Sequence, residues 1–225
     1  MLKTKRFCLV LASFSLVALL STCSKPSGEG VPPPVPPAPL VTSLPTAPPA
    51  QPTGQIIDDF EQGNFQQRWW SHQAKDSQMN CTLAGEGYQS THSLHITFQR
   101  GTSRPLYSIC GTDLTAGKLN GTTSLRFDWR SDQPGLKMLL AVDMIDPTQD
   151  APNVSPGLTA FEVELQSPGD AWSVATVRWD QFRKAPAIGE HGVNQLDPAK
   201  ITNLYIGMGS NLQGQVWLDN LVVLK

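Results

Sequence analysis

Residues 125–130 read Leu-Arg-Phe-Asp-Trp-Arg, a strict alternation of apolar and charged side chains. Successive side chains of a β-strand point to opposite faces of the sheet, so Leu125, Phe127 and Trp129 share one face and the three charged residues share the other. The apolar face is expected to lie in a hydrophobic core. A strand with one apolar and one polar face is typical of an antiparallel sheet that covers a core on one side only.

Similar segments recur along the chain, separated by clusters of Gly, Pro, Asn and Asp. They combine period-two alternation with β-branched and aromatic residues, and the pattern lacks a sustained helical period. We predict an all-β domain over residues 55–225, built as a two-sheet β-sandwich with about four or five strands in each sheet. The predicted strands are 93–98, 123–130, 137–144, 160–166, 173–179, 203–208 and 215–223. Short helical turns are expected at 180–183 and 197–200.

Three predicted strands, 123–130, 137–144 and 160–166, carry charged residues on their polar faces. If these strands are neighbours in one sheet, the charges form one mixed-charge surface. One interpretation is a solvated outer face, which every sandwich has. The other is a polar trough in which carboxylates and guanidinium groups bind the vicinal hydroxyls of a polyhydroxylated ligand. The residues concerned are Arg126, Asp128, Arg130, Asp143, Glu162 and Glu164.

The first 22 residues have the pattern of a signal peptide. Three basic residues precede the 14-residue apolar run 7–20, and small residues then lead to Cys23. The run is shorter than the about 20 residues that a membrane-spanning helix needs. A cysteine directly after small residues resembles the bacterial lipobox, although Thr22 stands where Gly or Ala is usual, and plain secretion is the alternative. The resemblance implies a lipid on Cys23 that anchors the protein in the bacterial cell envelope, with Ser24 favouring the outer membrane if the cell has one.

Residues 23–54 follow as a tether. Most prolines of the chain lie here among Ser, Thr and Ala, with almost no charge, so the segment is predicted to be a disordered and extended linker. The whole chain has a formal net charge of -2, and removal of residues 1–22 leaves 14 basic against 19 acidic side chains. The chain has no basic block that would bind nucleic acid, and a mildly acidic surface favours a neutral ligand.

The cysteines are consistent with export. Cys8 leaves with the signal peptide and Cys23 is the lipidation site, so Cys81 and Cys110 alone remain in the domain. Two cysteines in an oxidising compartment favour a disulfide over a zinc site, because zinc needs four ligands. The sequence therefore predicts a bond between Cys81 and Cys110.

Several landmarks occur in an order that resembles a known group of domains. The domain opens with Ile-Asp-Asp-Phe-Glu-Gln-Gly at 57–63, continues with a Trp pair at 69–70, and closes with Gly-Gln-Val-Trp-Leu-Asp-Asn-Leu-Val-Val-Leu at 214–224. Asp-Ala-Trp at 170–172 and Arg-Trp-Asp-Gln-Phe at 178–182 lie between them. This order resembles the galactose-binding-like jelly-roll domains, and within them the family 11 carbohydrate-binding modules and the complex I intermediate-associated protein 30 superfamily.

The resemblance implies a jelly-roll sandwich that binds a polysaccharide or oligosaccharide in a cleft lined by aromatic and polar side chains. It also implies a structural calcium ion held by Asp59, Glu61 and Asp219, for which turn and strand-end hydrogen bonds are the alternative role. The chain departs from family 11 in having only three Tyr, and Met208 stands where the family tends to have an aromatic residue. The aromatic candidates are Trp70, Tyr107, Trp172, Tyr205 and Trp217, of which Trp217 is expected to point outward.

Motifs of common enzymes do not occur in the sequence: it has no Gly-x-Ser-x-Gly, no His-Glu-x-x-His and no Gly-x-x-x-x-Gly-Lys. A carboxylate pair such as Asp128 and Glu164 could serve glycoside hydrolysis in principle, but acidic residues are common on sheet faces. We therefore predict a non-catalytic carbohydrate-binding lipoprotein. The alternative is a protein-binding or assembly module on the same scaffold, because a fold does not determine a function.

Overall fold

The computed structural model describes residues 54–101, 108–150, 155–208 and 213–225. The elements found there are β1 (Gln55–Asp58), α1 (Phe65–Arg68), β2 (Trp69–His72), β3 (Gln78–Ala84), β4 (Ser93–Gln99), β5 (Ile109–Asp113), β6 (Ser124–Ser131), β7 (Lys137–Ile145), β8 (Leu158–Gln166), β9 (Ser173–Arg178), β10 (Arg183–Lys184), β11 (Ile201–Gly207) and β12 (Gln213–Leu224), with 3₁₀ turns at Trp179–Gln181 and Pro198–Lys200. Both predicted helical turns are therefore present, within two residues of their predicted bounds.

Two antiparallel sheets make up the domain. The first sheet has the order β3-β4-β12-β6-β9, with β1 also paired to β12, and the second has the order β10-β8-β7-β11-β5-β2. The predicted all-β jelly-roll sandwich is confirmed. Each sheet has six strands rather than four or five, because the predicted strands did not include β1, β2, β3, β5 and β10.

The core lies between the two sheets, where the alternation placed it. Leu125, Phe127 and Trp129 of β6 are 0, 0 and 4% exposed, and Leu140 and Val142 of β7 are fully buried. Full burial of a large apolar side chain stabilises a fold by about 1.5–3 kcal/mol before entropy is counted. Apolar residues of β8, β11 and β12, among them Phe161, Leu204 and Leu218, pack into the same cluster.

The expectation of one mixed-charge surface is wrong. Strand β6 lies in the first sheet, whereas β7 and β8 lie in the second. The turn between β6 and β7, where Gly135 adopts a φ of 74°, carries the chain from one sheet to the other. Arg126, Asp128 and Arg130 therefore face outward on one side of the sandwich, and Asp143, Glu162 and Glu164 on the other. Alternation identifies the face of a strand but not the sheet to which the strand belongs.

The two sheets are joined by a disulfide. Cys81 of β3 in the first sheet bonds Cys110 of β5 in the second, across a sequence separation of 29 residues and a Cα–Cα distance of 5.9 Å. Cys110 is fully buried. The bond thus closes one side of the sandwich, next to the edge strands β2 and β3.

The predicted signal peptide, the linker with Cys23, and the aromatic candidate Tyr107 lie outside the described residues. Among the helices that the structure does describe, none has the length and apolar composition to span a bilayer.

Candidate functional site

The outer face of the second sheet gathers several polar and aromatic side chains. Strand register places Trp70 opposite Gly111, Gly111 opposite Tyr205, Tyr205 opposite Ala141, and Ala141 opposite Glu162. One rung therefore crosses five strands. We call this surface the Trp70 face, and its outward side chains include Trp70, Asp113, Asp143, Glu162, Glu164, Asn203 and Tyr205.

The indole of Trp70 lies close over the backbone of Gly111. A Cβ added to Gly111 would lie 2.6 Å from two carbons of the Trp70 ring, so a residue with a side chain cannot occupy this position without displacing the ring. The Trp70 Nε1 donates a hydrogen bond to Asp113 Oδ1 at 2.9 Å, and Asn203 Nδ2 donates to the same oxygen at 2.8 Å. The ring is therefore held by a hydrogen bond at its Nε1 and by its contact with the Gly111 backbone. Across the described residues, neither an aromatic ring nor a guanidinium stacks on its other face.

Carboxylates line the middle of the Trp70 face. Tyr205 donates its hydroxyl to Asp143 Oδ1 at 3.2 Å, and burial raises the pKa of Asp143 despite that bond. Burial also raises the pKa of Glu162, and the negative charge of Glu164 raises it further. Glu164 pairs with Lys137 at 2.8 Å. These groups are acceptors in a partly desolvated setting, where each hydrogen bond is stronger than in water.

Tyr205 has a different role from the predicted one. Its ring is only 5% exposed, so it does not offer a face for stacking, and it positions Asp143 instead. The prediction missed Gly111, Asp113 and Asn203. A glycine inside a strand is a recognised signal of close approach by another group, and this signal at Gly111 could have pointed to Trp70.

The outer face of the first sheet carries a stacked set of side chains that we call the Arg130 ladder: His95, Trp217, Arg130 and Trp172. The rings of His95 and Trp217 are parallel, with centroids 4.6 Å apart, and the Arg130 guanidinium lies 4.4 Å from the Trp217 ring. His95 is on β4 and Arg130 on β6, the two strands that flank β12. Trp217 points outward as predicted, but both faces of its ring are covered.

Trp172 continues the ladder on the far side of Arg130. The Arg130 guanidinium lies 5.3 Å from the Trp172 ring, and Tyr88 lies 6.0 Å from that ring in a tilted arrangement. Glu86 forms an ion pair with Arg130. Trp172 and Trp217 are thus separated from Trp70 by the whole thickness of the sandwich, and the predicted aromatic set does not form one site.

The proposed calcium ligands are engaged with protein donors. Asp219 is fully buried and accepts hydrogen bonds from the backbone N–H groups of Tyr88 and Asn220, both at 2.7 Å, and from the Ser90 hydroxyl. Glu61 accepts from the backbone N–H groups of Thr91 and His92 at 3.0 and 2.7 Å.

N–H and O–H donors already occupy the oxygens of these carboxylates. This arrangement does not fit a calcium site, which needs about 6–8 oxygen ligands around the ion. Asp59 caps only the N–H of Glu61, at 3.3 Å. Within the described ranges, no three His, Cys, Asp or Glu residues form a group that could hold a metal ion. In this structure Asp59, Glu61 and Asp219 all accept hydrogen bonds from protein groups, which is the alternative role to calcium binding.

The stability of the domain should fall as the pH rises through the range in which Asp219 titrates. Burial raises the pKa of Asp219 to about 6, although hydrogen bonds from Ser90, Tyr88 and Asn220 act to lower it. The folded state therefore holds this proton more tightly than the unfolded chain does. The resulting stabilisation is fully present below about pH 4 and is lost as the pH rises to about 6.

We expect this group to lower the free energy of unfolding by about 2 kcal/mol between about pH 4 and pH 6.5. The measurement is urea unfolding of the wild type and of Asp219→Asn at both pH values. The raised pKa values of Asp143 and Glu162 affect both proteins alike and cancel in the comparison. An identical pH dependence in the two proteins would contradict the prediction.

Comparison with solved structures identifies similar folds. The family 11 carbohydrate-binding module of the cellulosomal cellulase Lic26A-Cel5E of Clostridium thermocellum matches with a TM-score of 0.61 and 15% identity, over 76% of this chain and 94% of the module. The family 11 module from Clostridium thermocellum in complex with a β-1,3-1,4-mixed-linked tetrasaccharide matches with the same values. A family 30 carbohydrate-binding module matches with a TM-score of 0.51 and 13% identity, over 69% of this chain and 91% of that one.

At these identities the likeness establishes the fold, and the resemblance to family 11 modules is confirmed at that level. A scan against protein-family models finds no match, and a search of curated proteins finds none either.

Proposed function

We propose that the domain binds a neutral polysaccharide on the Trp70 face and does so without catalysis. The observation that carries the proposal is the Trp70 ring, which lies against Gly111, is held there by its bond to Asp113, and stacks with no other ring or guanidinium of the described residues. An aromatic ring of this kind stacks on the apolar face of a pyranose ring. The arrangement is formed before any ligand binds, so little ordering entropy is lost on binding.

The polar groups around Trp70 are suited to sugar hydroxyls. Asp143 and Glu162 provide carboxylate acceptors, and Asp113 accepts both of its protein hydrogen bonds on Oδ1, which leaves Oδ2 directed elsewhere. Carboxylates bind vicinal hydroxyls through charge-assisted hydrogen bonds. The same carboxylates repel anionic glycans, which agrees with the acidic charge of the chain without residues 1–22. The likeness to family 11 modules supports the proposal, since one of them is in complex with a mixed-linked tetrasaccharide.

A hydrolytic role is not supported. Asp128 and Glu164, the carboxylates considered for glycoside hydrolysis, lie on opposite outer faces of the sandwich. Carboxylates in glycosidases must flank one bond, with a separation of at most about 9.5 Å.

The protein-binding alternative is not favoured by the described surface. A docking surface would present a contiguous apolar patch. The large apolar residues exposed in the described ranges are Ile56, Ile145 and Val174, which lie on β1, β7 and β9, three strands that are not neighbours. Single exposed apolar residues are normal on a protein surface.

We also propose that a lipid on Cys23 anchors the chain in the bacterial cell envelope, with residues 23–54 as an extended tether. The support is the sequence pattern of basic residues, an apolar run and small residues before Cys23. Two or more acyl chains, at about 0.8 kcal/mol for each buried methylene, would hold the protein stably on a membrane.

Affinity electrophoresis tests the binding proposal. The mature protein is run through gels that contain mixed-linked β-1,3-1,4-glucan, xylan, glucomannan or the anionic control polygalacturonate, each with and without EDTA. We expect retardation by one of the neutral polysaccharides, none by polygalacturonate, and no effect of EDTA because the proposed calcium ligands are occupied by protein donors. Uniform mobility in all gels would overturn the proposal and direct attention to a protein partner.

A further inference from the structure

We propose that the cavity at the Trp70 edge of the second sheet binds the sugar unit that follows the one stacked on Trp70. The inference rests on the proposed function and adds a second subsite of defined chemistry to it. The cavity has a volume of about 250 Å³. We call it the Lys118 cavity, and its polar lining residues are Gln66, Gln67, Arg68, Thr112, Asp113 and Lys118, with Trp70 beside them.

The cavity is continuous with the Trp70 face. Trp70 and Asp113 line it and also belong to that face, so the two spaces share the Trp70–Asp113 hydrogen bond as a border. A polysaccharide unit stacked on Trp70 is linked to further units on either side. A chain that crosses the ring toward Asp113 therefore brings its next unit to the mouth of the cavity.

Two of the lining residues are already committed to other contacts. Arg68 donates to Asp58 Oδ1 at 3.2 Å and to the Ile57 carbonyl at 2.6 Å. Asp113 Oδ1 accepts from Trp70 and Asn203. These residues fix the walls of the cavity and leave the recognition of a ligand to the others.

The side chains of Gln66, Gln67 and Lys118, by contrast, are not engaged in such contacts. Throughout the described part of the chain, they make no hydrogen bond, and Lys118 has no carboxylate within ion-pair distance. Two amide groups and an ammonium group thus border one small cavity. They supply seven N–H donors against two amide oxygens, so they match a ligand that is rich in acceptor oxygens.

The volume indicates how much of a ligand fits. Pockets for drug-sized ligands measure about 300–1,000 Å³, and the Lys118 cavity lies just below that range. It therefore has room for one sugar unit and not for a longer stretch of chain. Ring, glycosidic and hydroxyl oxygens of that unit would accept from Lys118 and the two glutamine amides.

Ligand length is the variable that tests this second subsite. The probes are oligosaccharides of three and six units from mixed-linked β-1,3-1,4-glucan, or from whichever neutral polysaccharide retards the protein most. Binding is measured by calorimetry for the wild type, for a Gln67→Ala/Lys118→Ala double variant, and for Lys75→Ala. Lys75 is an exposed lysine outside the cavity and serves as the control.

We expect the double variant to bind the six-unit probe about ten-fold more weakly than the wild type, which corresponds to the loss of one or two hydrogen bonds. The three-unit probe should lose at most two-fold, because it can stack on Trp70 without entering the cavity. Lys75→Ala should match the wild type with both probes.

Equal affinity of the wild type and the double variant for the six-unit probe would overturn the inference and leave the proposed function intact. An equal loss with both probes would overturn it as well, because the cavity would then contact the unit on Trp70 itself. Failure of the wild type to bind either probe and any neutral polysaccharide would overturn the proposed function together with the inference.

Discussion

Trp70→Ala should bind the retained polysaccharide about thirty-fold more weakly than the wild type, a loss of about 2 kcal/mol typical of a truncated aromatic anchor. The variant removes the platform on which a pyranose ring stacks and leaves the surrounding carboxylates in place. Its cost in stability should be small, because the Trp70 ring rests on the Gly111 backbone at the surface and not in the core. Calorimetric titration and thermal unfolding of the same preparation measure the two effects.

Trp217→Ala is the matched control and should show the reverse pattern. The Trp217 ring is enclosed by His95 and Arg130 on the opposite side of the sandwich. Its removal leaves Arg130 stacked on Trp172 alone and lowers the free energy of unfolding by about 2 kcal/mol, while binding is unchanged. If Trp217→Ala lost binding and Trp70→Ala kept it, the site would have to be moved to the first sheet.

Gly111→Ala tests whether the position of the Trp70 ring matters, because the variant keeps the ring but displaces it. The added methyl group would lie 2.6 Å from two ring carbons, so the indole must tilt away from the sheet. The bond from Trp70 Nε1 to Asp113 is then strained or lost. We expect weaker binding although all aromatic residues remain, and full affinity in this variant would show that the close seating of the ring on Gly111 is unimportant.

Local patterns in the sequence were enough to predict which side chains enter the core. Phe127 and Val142 point into the core, and Asp128 and Asp143 point to the outer faces, as the period-two alternation requires, although Asp128 is itself only 2% exposed. What alternation could not supply was the assignment of strands to sheets. Asp128 and Asp143 are separated by one turn in sequence, and that turn places them on opposite sides of the domain. Strand pairing is set by contacts between distant segments, which a local pattern does not contain.

The site was predicted only in part for a related reason. The aromatic residue Trp70 and the carboxylates Asp143 and Glu162 were identified from their residue types. Their partners Asp113 and Asn203 come from strands β5 and β11, and the pairing of these strands brings them together. Gly111 contributes because it has no side chain, which leaves room for the Trp70 ring. The functional importance of such a residue emerges only when the strand beside it is known.

The disulfide links two distant segments of the chain covalently, and its removal should have the largest effect on stability. We expect Cys81→Ala/Cys110→Ala to lower the free energy of unfolding by about 3.5 kcal/mol, because the bond closes a loop of about 30 residues and restricts the unfolded chain. For a domain of this size the melting temperature should fall by roughly 10 °C. Alanine is the appropriate replacement, since Cys110 is fully buried and a serine hydroxyl there would add a desolvation cost.

Wild-type protein unfolded in the presence of dithiothreitol is the control for the double variant. Both should melt at nearly the same temperature, because each lacks the bond and the two proteins differ only in the thiol groups of Cys81 and Cys110. Polysaccharide binding below the melting temperature should persist in both, since Cys110 points into the core and Trp70 contacts the neighbouring Gly111 from the outer face. A double variant as stable as the oxidised wild type would show that packing of the core between the two sheets is sufficient to hold them together without the covalent link.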